Sequence, residues 1–148
     1  MSELEERYRP DVQDPRRRGR ILVLQALYQM DVGGQAAEDA IRDVLAPQED
    51  PSIQGWVRET VLGVREEREA LDRLIQGKAR NWAMDRMARV DRNILRLGAF
   101  ELLHRPQVPP AAVLNEAVEL AKEYGDEGSG SFVNGVLDSI RATEVRVE

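Results

Sequence analysis

The sequence predicts an all-helical fold, and three observations predict it. No stretch alternates apolar and polar residues with the period of a strand. Apolar residues recur at three- and four-residue spacing along nearly the whole chain. Glycine and proline clusters cut that pattern into pieces of helical length. Asn134-Gly135, a pair that often marks a hairpin turn, sits inside a helical pattern instead.

The elements follow in order. Asp14 can cap a first helix and Pro15 can take its first position. That helix carries Ile21, Leu24, Leu27 and Tyr28 and stops at Gly33-Gly34. A second places Ala37, Ala40, Ile41, Val44 and Leu45 on one face and ends before Pro47. Asp50-Pro51 opens a third, with the stripe Ile53, Trp56, Val57, Thr60, Val61, Val64, Leu71, Leu74 and Ile75, ending near Gly77. Glu67 and Arg68 interrupt this stripe, which implies a bend or local exposure. Trp82 to Met87 reads as a short turn or connector. The helix over 88–103 is apolar on more than one face, so it belongs near the centre of the fold. Pro106, Pro109 and Pro110 form a stiff linker. A sixth helix runs through Val113, Ala117, Leu120, Ala121 and Tyr124 to Gly125. Ser129 or Ser131 can cap the last, which holds Phe132, Val133, Val136, Leu137 and Ile140. Residues 14–141 read as a single domain, residues 1–13 as a flexible extension and residues 142–148 as a polar, fraying tail.

The chain has 148 residues, enough for a core without disulfides or metals. It has no cysteine, which removes thiolate nucleophiles and Cys-based zinc sites. No apolar run approaches a membrane span, and no apolar stretch precedes Ile21, so a cytoplasmic location is expected. The formal net charge is -6, but it is unevenly spread: residues 7–20 hold six Arg and two Asp. An acidic body with a basic arm is a polarised molecule.

Catalytic patterns fail on inspection. Glu101-x-x-His104 matches half of a di-iron motif that is needed twice, and His104 is the only histidine. A Ser-His-Asp triad would need the same residue, and no strand-turn-helix elbow surrounds any serine. Gly128-Ser-Gly130 follows a helix, not a strand, so it is punctuation and not a nucleotide loop. The expectation is a protein with no enzymatic activity, no cofactor and no metal.

Binding patterns fare better. Arg16, Arg17, Arg18 and Arg20 crowd the start of a helix, where its dipole opposes cations. Polyanion binding is one use that offsets this cost; a solvated charge run is the other reading. Arg89, Arg92 and Arg96 share one helix face, either as a phosphate-tracking stripe or as that helix's wet side. Tyr28, Tyr124 and Phe132 lie on or beside these segments and could stack bases, although aromatics at helical spacing are more often core.

Three blocks carry a resemblance. RRRGRILVLQALYQMD, RVDRNILRLGAFELLHRPQVPPAAVLNEAVELAKEYG and SFVNGVLDSI resemble, in order, the NusB family of bacterial transcription antitermination factors, over about residues 14–141. The resemblance implies about seven helices in two small bundles packed across each other. It implies binding of the boxA element of ribosomal RNA operon transcripts together with NusE, a small-subunit ribosomal protein, so that RNA polymerase passes terminators. It leaves open whether the chain is a monomer or a homodimer. It implies RNA contacts at Arg16, Arg17, Arg18, Arg20, Tyr28, Tyr124 and Phe132. It implies a contact near RNA and partner at Asp91, and makes Arg92 and Arg96 candidates for NusE or for phosphate. Gly128 and Ser131 depart from the acidic and basic residues common at those positions in relatives. The alternative reading is a helical protein-interaction module that does not bind RNA directly.

Overall fold

A computed structural model describes residues 15–145. The extension over 1–13, the expected cap Asp14 and residues 146–148 lie outside the described residues. Seven α-helices and one short 3-10 turn are present among the described residues: α1 Pro15–Gly33, α2 Ala37–Val44, α3 Pro51–Glu66, α4 Arg68–Lys78, the turn Met84–Arg86, α5 Arg89–His104, α6 Pro110–Tyr124 and α7 Ser129–Glu144. The all-α expectation holds.

Local chemistry explains most of the boundaries. Gly34 takes φ +68° just past α1, and its N–H donates to the Met30 carbonyl at 3.1 Å, closing the helix in the left-handed manner that glycine permits. Asp50 caps α3 by accepting from the Ser52 N–H at 2.8 Å, with Pro51 in the first turn. The stripe expected as one helix is two, broken at Glu67, where the charged pair Glu67-Arg68 interrupts the apolar face. Neither Ser129 nor Ser131 caps α7. Gly128 holds the cap position with φ +91° and no side-chain cap bond. Ser129 instead turns its hydroxyl onto the Asp126 N–H, accepting at 3.0 Å. The last helix runs to Glu144.

One set of helices is α1, α2 and α3; the other is α4, α5, α6 and α7. Helix α5 packs against α1 and α3 from the first set and against α4, α6 and α7 from the second. It is buried continuously from Asn93 to Leu102, as its all-round apolar pattern requires. Close approach is bought with glycine at Gly98, where a Cβ would stand 2.6 Å from a Leu137 methyl, and at Gly19, where it would meet the Trp56 ring at 2.6 Å. No helix among the described residues is long and apolar enough to cross a membrane.

Candidate RNA and partner interface

The arginines at the start of α1 divide by helical register. Arg20 faces inward and is 3 % exposed, with Nε and an Nη each donating to Glu101 at 2.8 Å. This fork-to-fork pair joins α1 to the central helix and lies beside the Trp56 ring. Arg17 donates from Nε to both oxygens of Glu116 on α6, at 2.9 and 3.1 Å. Arg18 grips Glu49 in the loop before α3, at 2.8 Å from its Nη. Arg17 and Arg18 keep about a third of their side chains exposed, and Arg16 is exposed.

The face of α5 divides in the same way. Arg96 is buried between Asp72 on α4 and Asp31 on α1, at 2.7 and 3.2 Å, and also donates to Asn93. Arg92 pairs with Asp31 and donates to the Met84 carbonyl. Burial pushes the Asp31 carboxyl up, but hydrogen bonds from Arg92 and Asn93 and the charges of Arg92 and Arg96 outweigh it and hold the pKa at about 2. Only Arg89 of this trio is exposed, and it has no ion pair among the described residues.

Two sequence expectations are therefore corrected. Arg20 and Arg96 are structural groups, locked into buried carboxylate pairs and out of reach of a strand or partner on the surface. The stripe Arg89–Arg92–Arg96 does not form one surface: over its buried middle the central helix turns Arg92 and Arg96 to internal carboxylates, and only Arg89, in its first turn, stays exposed.

What the fold does bring together is a face around the loop 125–128. Asp126 lines three adjoining concavities. The first and widest runs from Arg17 along α6 past Asn115, Glu119, Lys122 and Glu123. The second, about 390 Å³, is flanked by Tyr28 of α1 and Tyr124 of α6, with Asp85, Arg89 and Arg92 in its wall. Both tyrosines are about two-fifths exposed. Burial, reinforced by Glu123, raises the pKa of Tyr124, so its phenol remains a hydrogen-bond donor at neutral pH. The third is flanked by Trp82 and Phe132, whose rings meet edge-on at 6.5 Å, with Asp91 in its wall.

Trp82 is a residue that sequence reasoning left out of the site. It is half exposed, in the connector between α4 and the 3-10 turn. Gln76 ties that connector down, donating to the Trp82 carbonyl at 2.7 Å and accepting from the Met84 N–H at 2.8 Å. The available signal was its position: a large ring off every apolar stripe has no core to enter. Arg86 lines the same cleft and is exposed, which no local pattern in the sequence reveals.

Residues 17–142 match the model of the NusB family. A transcription antitermination protein NusB of Sorangium cellulosum is 48% identical over 131 residues, covering 88% of this chain and 94% of the relative. Among solved structures, T. maritima NusB superposes with a TM-score of 0.85 at 36% identity, covering 89% of this chain and 94% of that one. A structure of antitermination factors NusB and NusE in complex with double-stranded RNA matches with a TM-score of 0.80 at 28% identity, covering 88% and 98%.

Proposed function

Starting from the fact that this chain belongs to the NusB family, we propose that it is a transcription antitermination factor that binds boxA RNA together with NusE, within the RNA polymerase antitermination complex and in the cytoplasm. The observation that carries the RNA assignment is the convergence of Arg17, Tyr28, Tyr124 and exposed Arg89 on the face around the loop 125–128. A cleft between two half-exposed phenol rings beside a guanidinium suits a single strand, whose bases stack while its phosphates meet the cation. Arg16 and Arg18, at the start of α1, are further phosphate candidates, with Arg18 held by Glu49 in the loop before α3. For Arg17 and Arg18, phosphate must displace a carboxylate already in place, so these two supply less than their charge suggests.

Asp91 and Phe132 line the neighbouring cleft; Phe132 stays among the proposed RNA contacts and Asp91 is the proposed contact near RNA and partner. Arg92 is a positioning residue: its pair with Asp31 and its bond to the Met84 carbonyl hold the turn before α5.

The alternative, a protein-interaction module without direct RNA contact, is favoured by the carboxylate pairing of Arg17, Arg18 and Arg20. A titration separates the two. BoxA RNA and a scrambled control are titrated against the chain, with and without NusE, over a range of salt. The RNA reading expects preference for boxA, tighter binding with NusE, and a log-log salt slope no steeper than about -3, the value for roughly four phosphates. Equal binding of both RNAs, or none, with NusE still bound, leaves the interaction module.

A further inference from the structure

Helix α1 presents its proposed RNA contacts on one side and rests on Trp56 with the other. Arg17 and Tyr28 lie about three turns apart and share the face of α1 that looks toward α6 and the loop 125–128. Gly19 is about half a turn round from both, on the side where α1 packs on α3. A Cβ at Gly19 would stand 2.6 Å from Cε3 and 3.0 Å from Cζ3 of Trp56, where ordinary contact begins at 3.4 Å. Only a glycine lets the helix lie this close to the indole.

The ring is held in place in turn. The guanidinium carbon of Arg105 lies 4.5 Å from the Trp56 ring centroid and 5.5 Å from that of Phe100. Arg105 is buried, and its Nη2 donates to the Thr60 hydroxyl at 2.7 Å. That hydroxyl donates to the Trp56 carbonyl at 2.6 Å, so one clamp holds both the ring and the backbone of Trp56. Arg105 is a costly way to fill this space. Its Nη1 has no hydrogen-bond partner among the described residues, and its pair with exposed Glu59 is long, at 3.6 Å. An apolar side chain would fill the space at less cost, but it has no fixed bond directions. A flat guanidinium tied to Thr60 and laid against the indole fixes where the ring sits.

We propose that Gly19, Trp56 and Arg105 are positioning residues for RNA binding: they support α1 from the side opposite Arg17 and Tyr28, and so set the width of the cleft between Tyr28 and Tyr124. The three act through α1 and not by touching RNA. This rests on the reading that the chain binds boxA RNA through that cleft. A side chain larger than glycine at position 19 drives α1 away from α3, which narrows the cleft and presses Arg17 onto Glu116. A smaller ring at position 56 lets α1 settle back, which widens the cleft. The two changes act in opposite directions, so together they cancel.

The test is titration of boxA RNA against the full chain over a range of salt, with melting temperatures measured alongside. The proteins are wild type, Gly19→Ala, Trp56→Phe, the double variant Gly19→Ala/Trp56→Phe, and Arg105→Lys. Phenylalanine lacks the outer ring that carries Cε3 and Cζ3. Alanine favours a helix over glycine, so weaker binding by Gly19→Ala does not come from fraying of α1. The expected result for Gly19→Ala is RNA binding about fivefold weaker or more, with a salt slope shallower by about 0.7, the contribution of one phosphate. Trp56→Phe and Arg105→Lys, which loosen the support, should each bind about threefold more weakly. The double variant should return to within about twofold of wild type. Lost stability alone does not give that recovery, because two independent destabilising changes add. A double variant that binds as weakly as Gly19→Ala, or more weakly, overturns the inference. So do RNA affinities unchanged in all the single variants, whatever happens to their melting temperatures. A wild-type chain that does not prefer boxA to a scrambled RNA is a different result, visible before any substitution: it removes the functional reading as well.

Discussion

The start of α1 and the loop 125–128 invite opposite expectations. The first holds the densest run of cations in the described chain; the second is acidic, with Asp126 and Glu127 between glycines. Charge density alone sends an RNA strand to the first. In the folded protein three of the four arginines there meet carboxylates from remote elements, Glu116, Glu49 and Glu101. The exposed rings and the exposed Arg86 and Arg89 gather around the second. A cation contributes to binding only to the extent that it is not already satisfied. The partly exposed rings of Tyr28 and Tyr124 keep a stacking surface for a ligand.

This contrast can be broken by mutation, most strongly at its buried end. Arg20→Ala leaves Glu101 charged and unpaired in the interior and should cost about 3–5 kcal/mol of stability. A fall in melting temperature measures it, and the remaining folded protein should bind RNA as before. If stability is unaffected and RNA binding is lost, the division between the two regions is wrong.

At the other end, Tyr124→Ala and Tyr28→Ala should each weaken RNA binding by about 1–3 kcal/mol through lost stacking, with little change in melting temperature. Isothermal titration with boxA RNA checks both. Affinities equal to wild type would return the RNA to the arginine-rich end.

Acid probes the second internal cluster. The Asp31 carboxyl is held at about 2, below its usual 3.8. A depressed carboxyl pKa stabilises the fold above the unfolded value, and that stability drains away as pH falls from about 4 through 2. The expected loss is on the order of 1–2 kcal/mol. Comparing the acid stability of wild type with Asp31→Asn should show a shallower pH dependence in the variant.

The smallest effect is the most discriminating for Arg18. Glu49→Gln removes the charge that holds this guanidinium. If RNA phosphate uses Arg18, affinity should rise, by less than about 1 kcal/mol because the pair is partly exposed. A fall in affinity would mean that Glu49 positions Arg18 for RNA and does not compete with it.

The fold was legible because its signals are local. The Gly33-Gly34 stop, the Asp50-Pro51 start and the all-round apolar character of α5 each depend on residues within a few turns of one another. The break at Glu67 was legible as an interruption of a stripe, although not as a separate helix. The serine cap expected for α7 failed because Ser129 had a second use, holding the Asp126 N–H.

The sequence by itself determined which segments are helices and which of their faces are apolar, since each is written in spacing along one stretch of chain, while three ordered blocks of residues carried the family resemblance. Tertiary structure alone decided which guanidinium groups remain available. Arg17, Arg20 and Arg96 find their carboxylates 99, 81 and 24 residues away, respectively. Coulomb pairing depends on distance in space, and no count of neighbouring charges reveals a partner that arrives on another helix.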